Sequence, residues 1–366
     1  MNEHELAILR QFCLDAEPAS CTPYGCGHIN RTYLVATAGG RCYILQKINH
    51  HTFRDVAGLM ENIELVTEHL RRKSPDPRSV LTLIRTKDGK SYLEADDGYW
   101  RVFRFVEDSI CLQQPESDAD FYESAVGFGT FQQLLSDFPA EKLHETIPNF
   151  HNTPDRYRAF HETLTRDPMH RAAQVQPEIE FALARQAEMA ALQNALDAGE
   201  LPLRVTHNDT KLNNVLFDAK TRRALCIIDL DTVMPGSALY DYGDSIRFGA
   251  ATAAEDEREL DKMEMSLERF RVFTRGYVRA CPGLTQKELE LLLLGAKVMT
   301  MECGVRFLTD HIDGDNYFSI HREGQNLDRA HTQFKLVADM ERKWDKMKEI
   351  VNEEVQNAKE NGSCCI

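Results

Sequence analysis

The sequence HNDTKLNN at residues 207–214 is the most informative part of this chain. It places a carboxylate at Asp209, an ammonium group at Lys211 and an amide at Asn214 within one short segment. Phosphoryl transfer to a hydroxyl requires a carboxylate that accepts the hydroxyl proton, a cation near the migrating group and oxygen ligands for magnesium. The pattern therefore predicts Asp209 as the catalytic base, Lys211 as a catalytic cation and Asn214 as a metal ligand.

Two short apolar runs follow at residues 215–217 and 225–228, and the polar residues between them predict a β-hairpin. Asp229 comes directly after the second run, and its carboxylate is predicted to be a second metal ligand. Asp231 is predicted either as a further metal ligand or as a solvated turn carboxylate. The motif H-x-D-x-K-x-x-N, a hairpin and an aspartate together are typical of the catalytic and metal loops of kinases with the protein-kinase architecture. The alternative is that these Asn and Asp residues only form turns, in which both types are common.

The first hundred residues show the pattern of β-strands around one helix. TYLVAT (32–37) and RCYILQKI (41–48) flank the turn sequence AGG and predict a hairpin. Apolar residues then recur at three- and four-residue spacing from Val56 to Leu70, which predicts an amphipathic helix packed on that hairpin. Further strands are predicted at residues 81–85, 91–95 and 99–106.

The chain beyond Glu107 has a mainly helical pattern. Helices are predicted at residues 118–136, 176–198, 255–280 and 285–300, separated by Pro and Gly. We therefore predict an α+β protein with two lobes, which a length of 366 residues allows. The first lobe, residues 1–107, is predicted to be a small antiparallel sheet with one helix that binds nucleotide. The second, residues 108–366, is predicted to be larger and helical and to carry the catalytic and metal loops.

A glycine-containing turn, GCGHIN at residues 25–30, precedes the first hairpin. Glycine lets the backbone approach an anion closely, so Gly25, Gly27 and Asn30 are predicted to lie over the nucleotide phosphates. The turn is not a dinucleotide-binding fingerprint, because Asn30 stands where that motif needs glycine and a strand pattern follows it. This difference excludes a Rossmann-type dehydrogenase.

Lys47 lies in the second strand of the predicted hairpin, among Tyr, Ile and Leu residues. In kinases of the protein-kinase type, a lysine of this strand binds the α- and β-phosphates and pairs with a glutamate on the following helix. Lys47 and Glu61 are therefore predicted to belong to the nucleotide site as an ion pair, with Glu64 as the alternative partner. The competing interpretation is a strand lysine that simply faces water.

Composition limits the partners of this protein. Forty-three Lys and Arg against 58 Asp and Glu give a formal charge of −15, which opposes loose binding to nucleic acid or anionic lipid. No apolar run reaches the roughly 20 residues that span a bilayer, and the acidic N-terminus does not resemble a secretory signal. The cysteines include no C-x-x-C pair, which predicts reduced thiols in a cytoplasmic protein. We expect no nucleic-acid, membrane or obligate protein partner.

These motifs resemble those of the N-acetylhexosamine 1-kinases in the aminoglycoside/choline phosphotransferase superfamily, and the resemblance covers nearly the whole chain. Six segments carry it: GCGHINRTYLV (25–35), DVAGLMENI (55–63), LHETIPNFHNTPDRY (143–157), HNDTKLNNVLFD (207–218), IIDLDTVMPGSALYDYGDSIR (227–247) and GVRFLTDHIDGDNYF (304–318). Unlike protein kinases, the chain has Leu230 and Asp231 after Asp229 and lacks an Ala-Pro-Glu segment. A small-molecule acceptor fits this departure better than a polypeptide does.

The resemblance implies a bilobal, protein-kinase-like fold and a defined reaction. The γ-phosphate of ATP would be transferred, with Mg²⁺, to the anomeric C1 hydroxyl of N-acetylglucosamine or N-acetylgalactosamine. It also implies that the nucleotide contacts the linker at Phe105 and Glu107. The sugar would be bound in the second lobe by Asp209, Arg306 and Tyr317. The alternative for Arg306 and Tyr317 is that they belong to a solvated loop.

Two further carboxylates, Asp241 and Asp244, lie in the segment ALYDYGD at residues 238–244. We expect them to hold the loop near the catalytic hairpin rather than to contact substrate.

Two alternatives to this function stay open. The first is a kinase for another small hydroxyl compound, such as choline, an amino alcohol or another hexose, because the phosphate-binding residues would be shared. The second is a non-catalytic nucleotide-binding scaffold, which the complete set of ionisable residues in the HNDTKLNN run disfavours.

Overall fold

The computed structural model describes residues 3–25 and 29–362 as two compact units. The first unit contains the chain up to Cys111 together with Asp137–Pro148 and Val215–Pro235. The second contains Leu112–Ser136, Asn149–Asn214 and the chain from Gly236 onward. The predicted α+β class, with an antiparallel sheet in the N-terminal region and a helical C-terminal part, is confirmed. The lobe boundary at Glu107 stays a prediction.

A six-stranded antiparallel sheet forms the main part of the first unit. Its strands are β1 (Pro18–Pro23), β2 (Arg31–Thr37), β3 (Cys42–Ile48), β4 (Leu83–Ile84), β5 (Leu93–Ala95) and β6 (Gly98–Arg104). The order is β1-β2-β3-β6-β4, and β5 also pairs with β6. The predicted hairpin of β2 and β3 is confirmed, and its turn contains Gly40 at a φ of 86°, a conformation that glycine adopts without steric penalty.

Helix α1 (Glu3–Leu9) covers one face of this sheet. Its Ile8 and Leu9 join a buried apolar cluster that includes Trp100 of β6. Lys47 of β3 is the register partner of Trp100, and its Nζ lies 5.4 Å from the centroid of the Trp100 ring. Because register partners point to the same side of a sheet, Lys47 belongs to the α1 face.

Helix α2 (Val56–Lys73) is the predicted amphipathic helix, and it covers the other face. Gln46 and Arg101 are register partners one residue along from Lys47 and Trp100, so they point to the opposite face of the sheet. On that face, Arg101 Nη1 lies 3.9 Å from the sulfur of Met60 in α2. The sheet therefore presents Lys47 and Arg101 to different helices.

A three-stranded antiparallel sheet completes the first unit. Its strands are β7 (Ser109–Cys111), β9 (Val215–Asp218) and β10 (Ala224–Ile227), in the order β10-β9-β7. The predicted hairpin after the HNDTKLNN run is confirmed as β9 and β10. Asp229 and Asp231 follow β10 directly, so this small sheet positions the predicted metal loop.

The second unit is mainly helical. Its helices are α3 (Asp118–Leu134), α4 (Thr153–Arg166), α5 (Gln176–Leu183), α6 (Gln186–Met189), α7 (Ala191–Asp197), α8 (Ala238–Gly249), α9 (Leu267–Ala280), α10 (Gln286–Asp313), α11 (Gln325–Arg342) and α12 (Trp344–Gly362). The short strand β8 (Arg204–Thr206) lies in this unit, and β11 (Met234–Gly236) lies where the chain enters it for the last time. Helix α10 packs against α4, α8 and α11, while α9 packs against α3 and α12.

The long helix α10 has a defined start and end. A capping box opens it, because Glu288 N donates to Thr285 Oγ1 at 3.2 Å and Thr285 N donates to Glu288 Oε2 at 2.7 Å. Gly314 ends it at a φ of 105°. Along its length, α10 approaches α8 through Gly295 and Gly243, and a Cβ atom at Gly243 would collide with the Gly295 carbonyl.

The predicted helix at residues 176–198 is wrong in its continuity, because it is broken into α5, α6 and α7. At the first break, Arg185 Nη1 donates to the Phe181 carbonyl at 3.0 Å, and Arg185 Nη2 lies 2.7 Å from Glu341 Oε2 of α11. These tertiary contacts outweigh the helical propensity of the segment.

The predicted helix at residues 255–280 begins only at Leu267. Ser266 caps the shortened helix by accepting a hydrogen bond from Arg269 N at 3.3 Å. Just before the cap, Ala251 and Met265 form an antiparallel bridge, which requires extended backbone.

In the part of the chain that the structure describes, no helix is both long and apolar enough to cross a membrane. The cysteines of that part form no disulfide. Burial raises the pKa of the thiols of Cys21, Cys226, Cys281 and Cys303 to about 12.

Candidate active site

The HNDTKLNN run forms a tight loop after β8 in the second unit. Asn208 has a φ of 64°, in the left-handed region that Asn adopts more readily than most residues. Residues Leu212–Asn214 then make a single 3-10 turn. The side chain of Asp209, between these two features, is 26% exposed, so the carboxylate is accessible while its backbone is fixed.

Asp209, Lys211 and Asn214 lie together in this loop. Lys211 Nζ lies 2.8 Å from Asp209 Oδ1. Asn214 Nδ2 donates to Asp209 Oδ2 at 3.1 Å and to the Asp209 carbonyl at 2.8 Å. One carboxylate oxygen of Asp209 thus contacts a cation and the other an amide, and the cluster has the composition that the sequence pattern predicts. The catalytic roles stay predictions.

The ionisation of Asp209 follows from these neighbours. Burial alone would raise the pKa of the Asp209 carboxyl, but Lys211 and the Asn214 amide outweigh it and hold that pKa below its ordinary value. The same ion pair raises the pKa of Lys211 well above its ordinary value. Asp209 is therefore a carboxylate at neutral pH, and it can accept a hydrogen bond and a proton from a hydroxyl.

Helix α8 holds the backbone of this loop. Asp241 accepts hydrogen bonds from His207 N at 2.9 Å and from Asn208 N at 2.8 Å. Asp244 accepts one from Thr210 N at 3.2 Å. Asp241 and Asp244 therefore hold the loop, as predicted, and their lack of contact with substrate stays a prediction.

A buried histidine and glutamate support the same loop from another side. The Nε2 atom of His151 lies 3.2 Å from the Asn208 carbonyl oxygen, and its Nδ1 atom lies 2.8 Å from Glu302 Oε1 of α10. Thr153 Oγ1 donates to the second oxygen of Glu302 at 2.6 Å. Burial would raise the pKa of Glu302, but His151 and Thr153 outweigh it and lower that pKa. Sequence reasoning missed both His151 and Glu302, and the only signal was the place of His151 in the segment 143–157.

Asp229 lies in the first unit, directly after β10. Its backbone has φ 59° and ψ 59°, a left-handed conformation that is costly for most residues other than Gly, Asn and Asp. The residue is exposed. Strained backbone of this kind is concentrated at functional positions, which agrees with the predicted metal-binding role.

Asp231 is buried, with an ion pair at one carboxylate oxygen and a hydrogen bond at the other. Its Oδ1 lies 2.5 Å from Arg101 Nη1, and its Oδ2 accepts a hydrogen bond from Asn30 Nδ2 at 2.6 Å. The side chain of Arg101 is 1% exposed, and its Nε donates to Gln46 Oε1 at 2.9 Å. The alternative of a solvated turn carboxylate is therefore wrong for Asp231. Its metal role stays a prediction, and Arg101, which the sequence reasoning missed, already neutralises its charge.

Lys47 pairs with a residue that the sequence did not suggest. Its Nζ lies 2.6 Å from Asp97 Oδ2, and Trp100 Nε1 donates to the other oxygen of Asp97 at 3.0 Å. This contact lies on the α1 face of the sheet. Arg101, in contrast, is a basic side chain on the α2 face.

Glu61 of α2 pairs with a histidine rather than with Lys47. Its Oε2 lies 2.7 Å from His144 Nε2, and Glu64 pairs with Arg85 at 2.9 Å. The predicted ion pair of Lys47 with Glu61, and the alternative with Glu64, are therefore wrong. The physical reason is that Lys47 points away from the face of the sheet that α2 covers.

The glycine-containing turn is described only in part. Gly25 has a φ of 79°, with open space where a Cβ atom would stand, and Gly27 lies outside the described residues. Asn30 bonds Asp231 through Nδ2, and its Oδ1 accepts a hydrogen bond from Asn49 N at 2.9 Å. The end of the turn is thus tied to the predicted metal loop inside the first unit.

The predicted nucleotide-binding linker follows β6. Phe105 N donates to the Cys42 carbonyl at 3.1 Å, and the Phe105 ring lies edge-on to Tyr24 with centroids 6.0 Å apart. Glu107 is exposed. Nucleotide contact by Phe105 and Glu107 stays a prediction.

Arg306 lies near the end of α10 among aromatic rings. Its guanidinium carbon is 5.3 Å from the centroid of Phe150, 5.8 Å from that of Tyr317 and 5.4 Å from that of Phe318. Arg306 Nη2 donates to Tyr317 Oη at 3.5 Å, and Tyr317 is 62% exposed. The structure brings Arg306 and Tyr317 together, and their contact with a sugar stays a prediction.

The predicted magnesium ligands have the right donor atoms. Among the described residues, no three or more His, Cys, Asp or Glu side chains are grouped to hold a metal ion. The predicted set instead combines an amide with carboxylates. Because Asn214 Nδ2 faces Asp209, Oδ1 is the atom left to coordinate an ion, and Mg²⁺ prefers such hard oxygen donors. Asn214 belongs to the second unit and Asp229 to the first, and their meeting at one ion stays a prediction.

Solved structures of several phosphotransferases have a similar fold. An aminoglycoside phosphotransferase from Alicyclobacillus acidocaldarius is 11% identical over 97% of this chain and 96% of its own, with a TM-score of 0.59. A microcompartment-associated aminopropanol kinase is 17% identical over 94% of this chain and 98% of its own, with a TM-score of 0.58. A spectinomycin phosphotransferase, solved with ADP and spectinomycin, is 10% identical over 92% of this chain and 97% of its own, with a TM-score of 0.58.

At these identities the likeness concerns the fold alone, and the family is shown by the sequence. Residues 20–272, more than half of the chain, match the APH family of phosphotransferase enzymes. The loop that carries Asp209, Lys211 and Asn214 lies inside the matched range. This protein belongs to the APH phosphotransferase enzyme family, whose protein-kinase-like fold it has.

Proposed function

We propose that this protein is an ATP-dependent kinase that phosphorylates the anomeric C1 hydroxyl of N-acetylglucosamine or N-acetylgalactosamine. ATP is the phosphoryl donor, Mg²⁺ is the cofactor, and the products are ADP and the sugar 1-phosphate. A cytoplasmic location, where ATP is available, and the absence of an obligate protein partner are part of the same proposal. The observation that carries it is the cluster of Asp209, Lys211 and Asn214 in a chain of the phosphotransferase family.

Asp209 orients the acceptor hydroxyl and takes its proton. A bond forms between the hydroxyl oxygen and the γ-phosphorus, while the bond from the γ-phosphorus to the β,γ-bridging oxygen breaks and ADP leaves with that electron pair. Lys211, 2.8 Å from Asp209, keeps the carboxylate ionised and adds positive charge near the migrating group. Positioning and electrostatics supply most of the catalysis.

Magnesium, when bound, neutralises charge on the β- and γ-phosphate oxygens. Asn214 Oδ1 and the Asp229 carboxylate are the groups that would hold it. Asp231 is the weaker candidate, because Arg101 and Asn30 already bond both of its oxygens. Its part in the reaction would then be to fix the segment that carries Asp229.

The surroundings of Arg306 support an acceptor that is rich in hydrogen-bonding oxygens. Arg306 lies one turn of α10 from Glu302, whose partner His151 contacts the Asn208 carbonyl in the catalytic loop. Burial lowers the pKa of the nearby Arg156, and the charge of Arg306 lowers it further. Hydroxyl and acetamido oxygens accept hydrogen bonds from guanidinium groups, which supports a sugar acceptor on this side of the loop.

An acceptor panel tests this function. The purified protein, with ATP and Mg²⁺, is assayed for ADP release with N-acetylglucosamine, N-acetylgalactosamine, glucose, choline and aminopropanol. Asp209→Asn protein prepared in parallel measures any contaminating kinase. Phosphorus NMR of the product then identifies the oxygen that carries the phosphate. We expect the two amino sugars to react fastest and the phosphate to be on C1.

The other outcomes separate the alternatives. Preferred turnover of choline, aminopropanol or glucose would replace the proposal with a kinase for that acceptor. Binding of ATP without transfer to any acceptor on the panel would favour a nucleotide-binding scaffold.

A further inference from the structure

Asn208, the residue that precedes Asp209, has a partner at both its backbone N–H and its carbonyl oxygen. Asn208 N donates to Asp241 Oδ1 at 2.8 Å, and the Asn208 carbonyl oxygen lies 3.2 Å from His151 Nε2. Asn208 has a left-handed φ of 64°, which the surrounding contacts must maintain. The direction in which Asp209 leaves the backbone therefore depends on these two contacts. Asp241 holds the amide side, and His151 holds the carbonyl side.

His151 is buried between two hydrogen-bond acceptors. It is 8% exposed, and its Nδ1 atom lies 2.8 Å from Glu302 Oε1. The His151 ring thus bridges the Asn208 carbonyl oxygen and the Glu302 carboxylate, two groups that accept hydrogen bonds. The Tyr240 ring packs against it, with ring centroids 5.5 Å apart.

Glu302 is equally fixed. It is 1% exposed, and Thr153, the first residue of α4, donates to its second oxygen at 2.6 Å. Arg306, one turn further along α10, acts on the same carboxylate and helps to lower its pKa. Glu302 thus joins α4 and α10 and orients the His151 ring, in the way that a buried carboxylate orients a functional histidine.

We infer that His151 and Glu302 are positioning residues that set the orientation of Asp209 through the Asn208 carbonyl. The inference rests on the proposed function in that it takes Asp209 as the reacting group. His151 and Glu302 act through the backbone and have no assigned contact with nucleotide or acceptor. Loss of the pair should change kcat and leave the KM for ATP nearly unchanged.

Three variants test the pair against a matched control. His151→Phe removes both ring nitrogens and keeps a ring, whereas His151→Gln keeps an amide N–H for the Asn208 carbonyl. Glu302→Gln keeps the size of the side chain and removes its charge. The control is His331→Phe, because His331 also pairs with a glutamate, Glu178, at 2.8 Å in the second unit but lies outside the catalytic loop.

We expect His151→Phe to lower kcat by about 10²-fold, the cost of a small misplacement of a reacting group, with the KM for ATP within about twofold of the parent value. Glu302→Gln should give a smaller loss, and His151→Gln should recover most of the rate. His331→Phe should keep the parent kcat. Parent-like kcat in His151→Phe, or a loss no larger than in the control, would overturn the inference.

Hydrogen exchange of the catalytic loop provides a readout that needs no substrate. Native-state exchange, followed by mass spectrometry of peptides that cover residues 207–214, should be faster in His151→Phe than in the parent and unchanged in His331→Phe. Circular dichroism establishes that each variant is folded. If no acceptor reacts with the parent protein, the proposed function fails, and this exchange measurement still decides whether His151 holds the loop. Unchanged exchange of residues 207–214 in His151→Phe would contradict the role of His151 in holding the loop.

Discussion

Asp209 is the residue on which the proposed chemistry depends, and its neighbours explain why a small change there should be informative. Asparagine has nearly the same shape and can keep the contact with Asn214, but it cannot take a proton or pair with Lys211. Asp209→Asn should therefore lower kcat by roughly 10²- to 10⁴-fold, the range for loss of a general base. Nucleotide affinity, measured by calorimetry, should stay close to that of the parent. Parent-like turnover with the preferred acceptor would exclude Asp209 as the base.

The Lys211 ammonium group predicts a specific pH response of Asp209. In the folded protein the pKa of Asp209 is below its ordinary value of 3.8, so the carboxylate persists as pH falls from neutral toward that value. Lys211→Met removes the nearby charge and leaves burial, which raises the pKa. The acidic limb of the kcat/KM profile should then move to higher pH in the variant. Measurement of both profiles with saturating Mg²⁺ tests this, and an unmoved limb in an active variant would contradict it.

Arg101 and Lys47 are basic residues of the same sheet, but their ion pairs should contribute differently to the free energy of unfolding. Arg101 and Asp231 are 1% and 3% exposed, whereas Lys47 and Asp97 are 23% and 34% exposed. Breaking a buried pair leaves an uncompensated charge, so Arg101→Met should lower the free energy of unfolding by about 3–5 kcal/mol. The matched change Lys47→Met should cost only about 0–1 kcal/mol. Urea denaturation of both variants measures the difference, and equal losses would refute this ranking.

The residues of the site show which contacts can be predicted from sequence and which cannot. Asp209, Lys211 and Asn214 are close in sequence, so one short loop brings them together, and their spacing was sufficient to predict the cluster. The partner of Lys47 depends on which face of β3 each helix covers, and that is fixed by contacts from distant parts of the chain. The sequence did not indicate the role of Arg101 either, because its partner Asp231 is far away along the chain.

At the scale of elements, strands and helices were predicted well where their pattern is local. The β2–β3 hairpin and α2 follow from alternation, a glycine turn and helical spacing in adjacent residues. The division of residues 176–198 into α5, α6 and α7 was not predictable in this way. It coincides with the ion pair of Arg185 with Glu341, which forms only when α11 is in place.

Packing of α8 against α10 gives a prediction at the same scale. A Cβ atom at Gly243 would collide with the Gly295 backbone, whereas one at Gly295 would lie 3.0 Å from the Leu239 carbonyl oxygen. Gly243→Ala should therefore destabilise the protein by about 1–3 kcal/mol, as overpacking does. Gly295→Ala should cost less. Thermal unfolding of both variants tests the order, and a Gly243→Ala protein as stable as the parent would show that the helices can separate freely.

For the whole molecule, several carboxylates stay ionised to lower pH because of contacts made only in the folded state. Burial would raise the pKa of Asp97, but Lys47 and Trp100 lower it to about 2, and the backbone N–H of Thr221 lowers that of Asp218 to about 2. Such groups bind protons more readily when the chain is unfolded. Their contribution to stability is present above the ordinary aspartate pKa of 3.8 and is lost as pH falls toward 2.

The midpoint of urea unfolding should therefore fall on acidification from pH 5 to pH 3, with most of the loss near and below the ordinary aspartate pKa. Asp241 acts in the opposite sense, because burial raises its pKa, but it is a single group. A midpoint that is constant or rises over this range would show that the folded-state contacts of Asp97 and Asp218 add no stability.

The buried cysteines provide a chemical measure of local opening of the folded protein. Alkylating reagents attack the thiolate, and a thiol with a pKa of about 12 is almost wholly protonated at neutral pH. Cys226 belongs to the first unit, whereas Cys281 and Cys303 belong to the second. Site-resolved labelling rates at these three positions would time the local opening of each unit separately, without any introduced probe.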